Sequence, residues 1–122
     1  MNRQPDQENF AWRSVCPIAS GLDIVGDKWS LLIIRDLLAS GTRTYSEFAA
    51  SPEGISTNIL AARLKLLAEL HLIEHVDPSR GARNNAYQLT ESGKALRPVL
   101  EELGRWSHQY LHDRHPEMVS LF

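Results

Sequence analysis

Three groups of side chains in this sequence have types and spacings that suggest chemistry. The first is Cys16, the single cysteine, which directly precedes Pro17 and a segment that reads as helix. A thiol there faces free backbone N–H groups that favour the thiolate, the reactive form, and nearby Arg13 would add to the effect. The ordinary alternative is a buried cysteine packing as a small, inert hydrophobe. With one cysteine, a disulfide must join two subunits or capture a small thiol, and any other lasting product is an adduct.

The second group is His108, His112 and His115. Their spacing sets imidazoles on neighbouring helical turns, where two histidines four apart could hold zinc with Asp113 nearby. A solvated polar tail is the more ordinary reading, so no metal and no cofactor is expected. The third group is basic. The formal net charge is -2, yet Ser56–Lys65 and Ser79–Asn85 carry only positive charge, from Arg63, Lys65, Arg80 and Arg83. Phosphate contacts act over short distances under salt screening, so local placement counts for more than the total.

The elements that must position these groups follow from caps and periodicity. A short helix fits Pro17 to Val25 and breaks at Gly26. Asp27 then caps a run with Trp29, Leu32, Ile33 and Leu37 at helical spacing, ending at Gly41. Thr44 and Glu47 have the spacing of a capping box, and their helix carries Phe48 until Pro52 and Gly54 break it. Ser56 caps the next helix, whose Leu60, Leu64 and Leu67 share one face to about Leu70. Ile73 to Val76 and Ala86 to Leu89 flank turn-forming residues and predict a two-stranded β-hairpin with a basic tip. Thr90 caps a long closing helix, which Pro98 interrupts only mildly.

Helices joined by a short turn and followed by a basic hairpin make a winged helix-turn-helix, an α+β fold that is mostly helical. In this fold Thr57, Asn58, Ala61, Ala62 and Lys65 lie on the groove side of the recognition helix. Asn58 suits adenine, the alanines allow close approach to a thymine methyl, and Lys65 suits a phosphate. Arg63 sits beside the inward face, where phosphate contact and bracing through a carboxylate are both open. Arg80 and Arg83 form a wing clamp; the alternative is an ordinary solvated turn. Trp29 and Trp106 read as core or interface residues. Val99, Leu103 and Trp106, extended by Tyr110, exceed what so small a domain can cover, which predicts a homodimer. Trp12 is assigned to the same interface.

The chain has 122 residues, 43% hydrophobic and 23% charged, which suits one folded domain at 16–115 between an arm at 1–15 and a tail at 116–122. The longest apolar run, Leu31–Ile34, is too short for a membrane span. Met1–Asn9 lacks the basic and apolar regions of a secretory leader, so a cytoplasmic location is expected. No phosphate-cradling glycine loop, nucleophile–base pair or catalytic metal motif stands out, so no enzyme is expected. A hydrolase built on Cys16 and a distant histidine has nothing to favour it.

The sequence resembles the HxlR-type transcriptional regulators. The resemblance is carried by Cys16-Pro17, Gly26-Asp27-Lys28-Trp29, Leu31-Leu32-Ile33, Gly41, Tyr45-Ser46-Glu47-Phe48 and Gly54-Ile55-Ser56. It continues through Leu60, Arg63-Leu64, Leu72-Ile73, Tyr87, Leu89-Thr90-Glu91-Ser92-Gly93, Pro98-Val99-Leu100 and Trp106. It implies a dimeric bacterial repressor or activator with a winged-helix fold, in which the N-terminal segment and last helix make the dimer. Such a dimer would set two recognition helices about one turn, roughly 34 Å, apart on double-stranded DNA, at a pseudo-palindromic operator. It also implies that Cys16 matches a cysteine that senses oxidants, aldehydes or quinones in some members, so a small reactive inducer is a possible partner. Two departures stand out. Thr44 occupies a position where the family usually has Arg; the base here is one residue earlier, at Arg43, which is assigned to DNA with its phosphate contact left open, and His71 replaces a common glycine after the recognition helix. The other class of reading is a winged-helix module that binds protein instead of DNA; the wing arginines argue against it.

Overall fold

The computed structural model describes residues 10–80 and 85–120. Its elements are α1 (Pro17–Val25), α2 (Ser30–Ser40), β1 (Thr42–Arg43), α3 (Tyr45–Ala49) and α4 (Thr57–Glu69), then β2 (Ile73–His75), β3 (Tyr87–Leu89), α5 (Glu91–Lys94) and α6 (Arg97–Leu111). The predicted caps of α3 and α4 form, while Asp27 caps the turn just before α2, whose own N-cap, Trp29, makes no side-chain capping bond. Thr44 Oγ1 accepts the Glu47 N–H while the Glu47 carboxylate accepts the Thr44 N–H, completing the capping box of α3. Ser56 Oγ accepts from the Ile59 N–H at the start of α4. Asp27 Oδ2 accepts from the N–H groups of Trp29 and Ser30, each at 3.0 Å, and opens the turn that becomes α2.

These helices close over one core. Ile33, Ile34 and Leu37 of α2 meet Phe48 of α3, Leu60, Leu64 and Leu67 of α4, Ile73, Tyr87 and Leu89 of the sheet, and Leu100 of α6. The three leucines of α4 are at most 2% exposed, as their spacing on one helical face requires. No helix among the described residues is long and apolar enough to cross a membrane.

The structure differs from the sequence reading in two elements. The hairpin is joined by a third strand: β1 pairs antiparallel with β3, giving the order β1-β3-β2. Two residues are too few for an alternating pattern to announce a strand. The expected long closing helix is two helices. Thr90 caps only α5, its Oγ1 accepting from Gly93 N–H, and α6 starts anew with Pro98 in its first turn. Proline has no N–H to bond back to residue 94 and its ring crowds that carbonyl, so it starts a helix better than it continues one.

The junction between α4 and the wing explains the Leu89–Gly93 signature. His71 takes a left-handed φ of 61°, as the residue following a helix often must. Its carbonyl then accepts from Thr90 Oγ1 at 2.6 Å and Ser92 Oγ at 2.9 Å. The Leu72 carbonyl lies so close to α5 that a Cβ on Gly93 would sit 2.2 Å from its oxygen. Only glycine lets the two segments approach this far.

Candidate nucleic-acid interface

Helices α3 and α4 and the turn between them form the helix-turn-helix, and ion pairs hold that turn onto α2. Arg35 of α2 donates to both oxygens of Glu53, at 2.7 and 2.9 Å, and to Asp36 Oδ1. Asp36, only 9% exposed, also accepts from Ser51 Oγ at 2.8 Å. The hydrogen bond from Arg35 is the main reason that Glu53 is held below the ordinary carboxylate range. The same bond, seen from the other side, raises the Arg35 guanidinium. Gly54, with φ of 72°, carries the chain from this clamp into Ser56. The first turn of α4 is held by the Tyr45 hydroxyl, which donates to the Thr57 carbonyl at 3.0 Å.

Helix α4 therefore presents a defined outer face. Thr57, Asn58, Ala61, Ala62 and Lys65 are all exposed, while Leu60, Leu64 and Leu67 are sealed inside. Ile59, whose exposure the helical spacing of the leucines does not signal, is 41% exposed beside Asn58. Arg63 is oriented differently: its Nη1 lies 3.4 Å from Asp27 Oδ1. Of its two open readings, this geometry is the brace, tying α4 to the start of α2. Burial opposes the charge on Asp27, but the Ser30 hydroxyl, the Trp29 and Ser30 N–H groups and Arg63 together lower its pKa. Lys65 Nζ lies 4.0 Å from Glu69.

Arg43 stands in β1 opposite Tyr87 and donates from Nη1 to the Glu47 carbonyl at 3.3 Å, which turns part of its guanidinium toward the protein. Arg80 is exposed at the outer end of the wing, in a turn where its N–H donates to the Asp77 carbonyl at 3.1 Å. Arg83 lies outside the described residues. Asn85, at the end of the Ser79–Asn85 tip, is only 2% exposed. Its Nδ2 donates to the Asp77 carbonyl at 2.7 Å and the Arg80 carbonyl at 3.4 Å, closing the root of the wing. Because that role depends on a contact across the loop, composition alone does not signal it.

Away from this face, Cys16 is exposed and occupies the N-cap of α1. Arg13, expected to help acidify it, is instead paired with Asp23 and donates to the Ala19 carbonyl. Asp23, with an almost fully buried carboxylate, captures the guanidinium and fastens the arm to α1. Val99, Leu103, Trp106 and Tyr110 line one exposed stripe of α6, and Trp12, Ile18 and Leu22 are also exposed. His108 and His112 lie side by side with ring centroids 5.0 Å apart and planes tilted by 44°, and His115 faces Glu117. Among the described residues no three metal-ligating side chains converge.

Comparison with known proteins agrees with this geometry. An uncharacterized HTH-type transcriptional regulator of Mycobacterium tuberculosis is 34% identical over 77% of this chain, which spans 58% of that relative's length. The HTH-type transcriptional regulator YodB of Bacillus subtilis is 32% identical over 80% of this chain and 87% of its own. Its reduced structure superimposes with a TM-score of 0.65, covering 80% of this chain and 95% of that one. YodB has also been crystallised bound to quinone. The crystal structure of PA1607, a candidate transcription factor, is 41% identical with a TM-score of 0.70, over 80% of this chain and 67% of that one. The model of the HxlR-like helix-turn-helix family matches residues 24–115, and the chain belongs to that family.

Proposed function

We propose that this protein is a sequence-specific, DNA-binding transcriptional regulator that acts as a homodimer on a pseudo-palindromic operator. The observation that carries the reading is the division of α4. Its leucines are buried, and its N-terminal turns offer Thr57, Asn58, Ala61 and Ala62 to solvent. A helix that enters the major groove needs this division, because small and amide side chains must reach base edges. Lys65 and Arg80, both exposed, are assigned to phosphate contacts, and Arg83 to the same wing.

The apolar stripe of α6, together with Trp12, Ile18 and Leu22, supports pairing across a two-fold axis. Exposed tryptophan and leucine in one row are costly in water and suit an isologous interface. Cys16, exposed at a helix N-terminus, is assigned as the sensor of oxidants or electrophiles, without help from Arg13. Its test is Cys16→Ser in a reporter strain, where an unchanged response to quinone or diamide would remove the assignment. The operator test is a hydroxyl-radical footprint on the DNA upstream of the protein's own gene. Two protected patches about one helical turn, roughly 34 Å, apart are expected. Uniform cleavage at saturating protein on operator-containing fragments would contradict DNA binding.

A further inference from the structure

We propose that α4 recognises a half-site centred on A·T base pairs, read through thymine methyl groups and an adenine edge, and that it does not read guanine. The proposal rests on the DNA-binding reading above and specifies the sequence that the regulator prefers. The first six residues of α4, Thr57 to Ala62, carry no charged side chain. Guanine offers two acceptors to the major groove, N7 and O6, and these are matched best by a bidentate arginine or lysine. The cations that follow along the helix are engaged or remote. Arg63 is turned to Asp27, and Lys65 stands beside Glu69, further from the inserted end.

What the inserted end offers is apolar or amide. Ala62 lies at the middle of the outer face with Asn58 one turn before it. Ile59, 41% exposed, lies on the side of Arg63. Ala61 lies on the other side and lines a groove with Tyr45, Lys65, His75 and Tyr87. Methyl groups on both flanks match the C5-methyl of thymine, the one apolar feature of the major-groove edge. The Asn58 side chain has no hydrogen-bond partner among the described residues, so its amide is free to donate to N7 and accept from N6 of adenine. The Ser56 hydroxyl and Thr57 carbonyl are already used, in the cap and by Tyr45. These two bonds hold the first turn of α4 in place before binding.

The test selects sites for the full chain from a random-sequence duplex library and then replaces individual thymines with uracil. The expected result is a pseudo-palindrome with A·T pairs at the centre of each half-site. Removing a contacted methyl should weaken binding about fourfold, and at one position Ile59→Ala should abolish that uracil effect. Ile59 is exposed, so this variant keeps the fold. Selection of a palindrome with G·C half-site centres and no uracil effect would overturn the A·T reading while leaving DNA binding intact. No enriched sequence at all would overturn both.

Discussion

Asp27 joins the start of α2 to α4, and its removal should be felt in stability first. Asp27→Ala removes an acceptor for two N–H groups at a helix start, which costs about 1 kcal/mol by analogy with N-caps. It also strands the Ser30 hydroxyl, which bonds Asp27 Oδ1 in a fully buried residue, for another 1 to 2 kcal/mol or about that. The Arg63 pair, 3.4 Å long and 28% exposed on both sides, adds less than about 1 kcal/mol after solvent screening. The total is roughly 3 kcal/mol, or on the order of 10 °C in Tm for a domain of this size. Urea unfolding followed by tryptophan fluorescence, at fixed protein concentration, measures it. Asp27→Asn, which keeps an acceptor oxygen, should lose only about half as much. Because the folded pKa of Asp27 lies below its ordinary 3.8, its contribution is complete above that value. The charge-dependent part is lost as pH falls through the folded pKa, so the stability gap between wild type and Asp27→Ala should narrow in acid below that ordinary value. A loss under about 1 kcal/mol at neutral pH, or a gap that widens in acid, would refute this account of the α2–α4 joint.

Other substitutions probe the junction, the wing and the interface. Gly93→Ala should destabilise by about 2 kcal/mol or more, since its Cβ would press on the Leu72 carbonyl oxygen, 2.2 Å away, and backbone must shift; an unchanged melting temperature would contradict the packing. Asn85→Ala removes the amide that donates to the Asp77 carbonyl at 2.7 Å and accepts from the Asp77 N–H at 3.4 Å, and the loss of both bonds should cost about 1–3 kcal/mol. If it also frees the wing, the slope of log affinity against log salt should become shallower by about one ion, whereas an unaltered slope would mean that the wing makes no phosphate contact. Trp106→Glu, at a side chain 54% exposed in the isolated chain, should weaken dimerisation about a thousandfold because a two-fold interface meets the change twice. Light scattering would show monomers at micromolar concentration, and a persistent dimer would move the interface elsewhere.

Much of the fold was legible in the sequence because its helices announce their own starts. Asp27, Thr44 with Glu47, Ser56 and Thr90 each bond to backbone within three residues, so local spacing suffices to find them. The buried face of α4 was legible for the same reason, from Leu60, Leu64 and Leu67. Contacts between segments distant in sequence were not. Asp27 and Asp23 each claim an arginine, Arg63 and Arg13, that the sequence alone could equally assign to phosphate or to Cys16. Asn85 looks like any turn asparagine until Asp77 and Arg80 come round to meet it. Strand β1 is too short to show a pattern, and Pro98 announces a helix break without saying on which side the new helix starts.

Fluorescence anisotropy distinguishes specific recognition of DNA from non-specific binding. The DNA upstream of the protein's own gene would be titrated at several salt concentrations beside a scrambled duplex of equal composition. Tight binding to the upstream duplex is expected, steeply weakened by salt through counterion release, with at least about a thousandfold preference over the scrambled one. Equal, weak binding to both duplexes, repeated on sites selected from a random library, would contradict it.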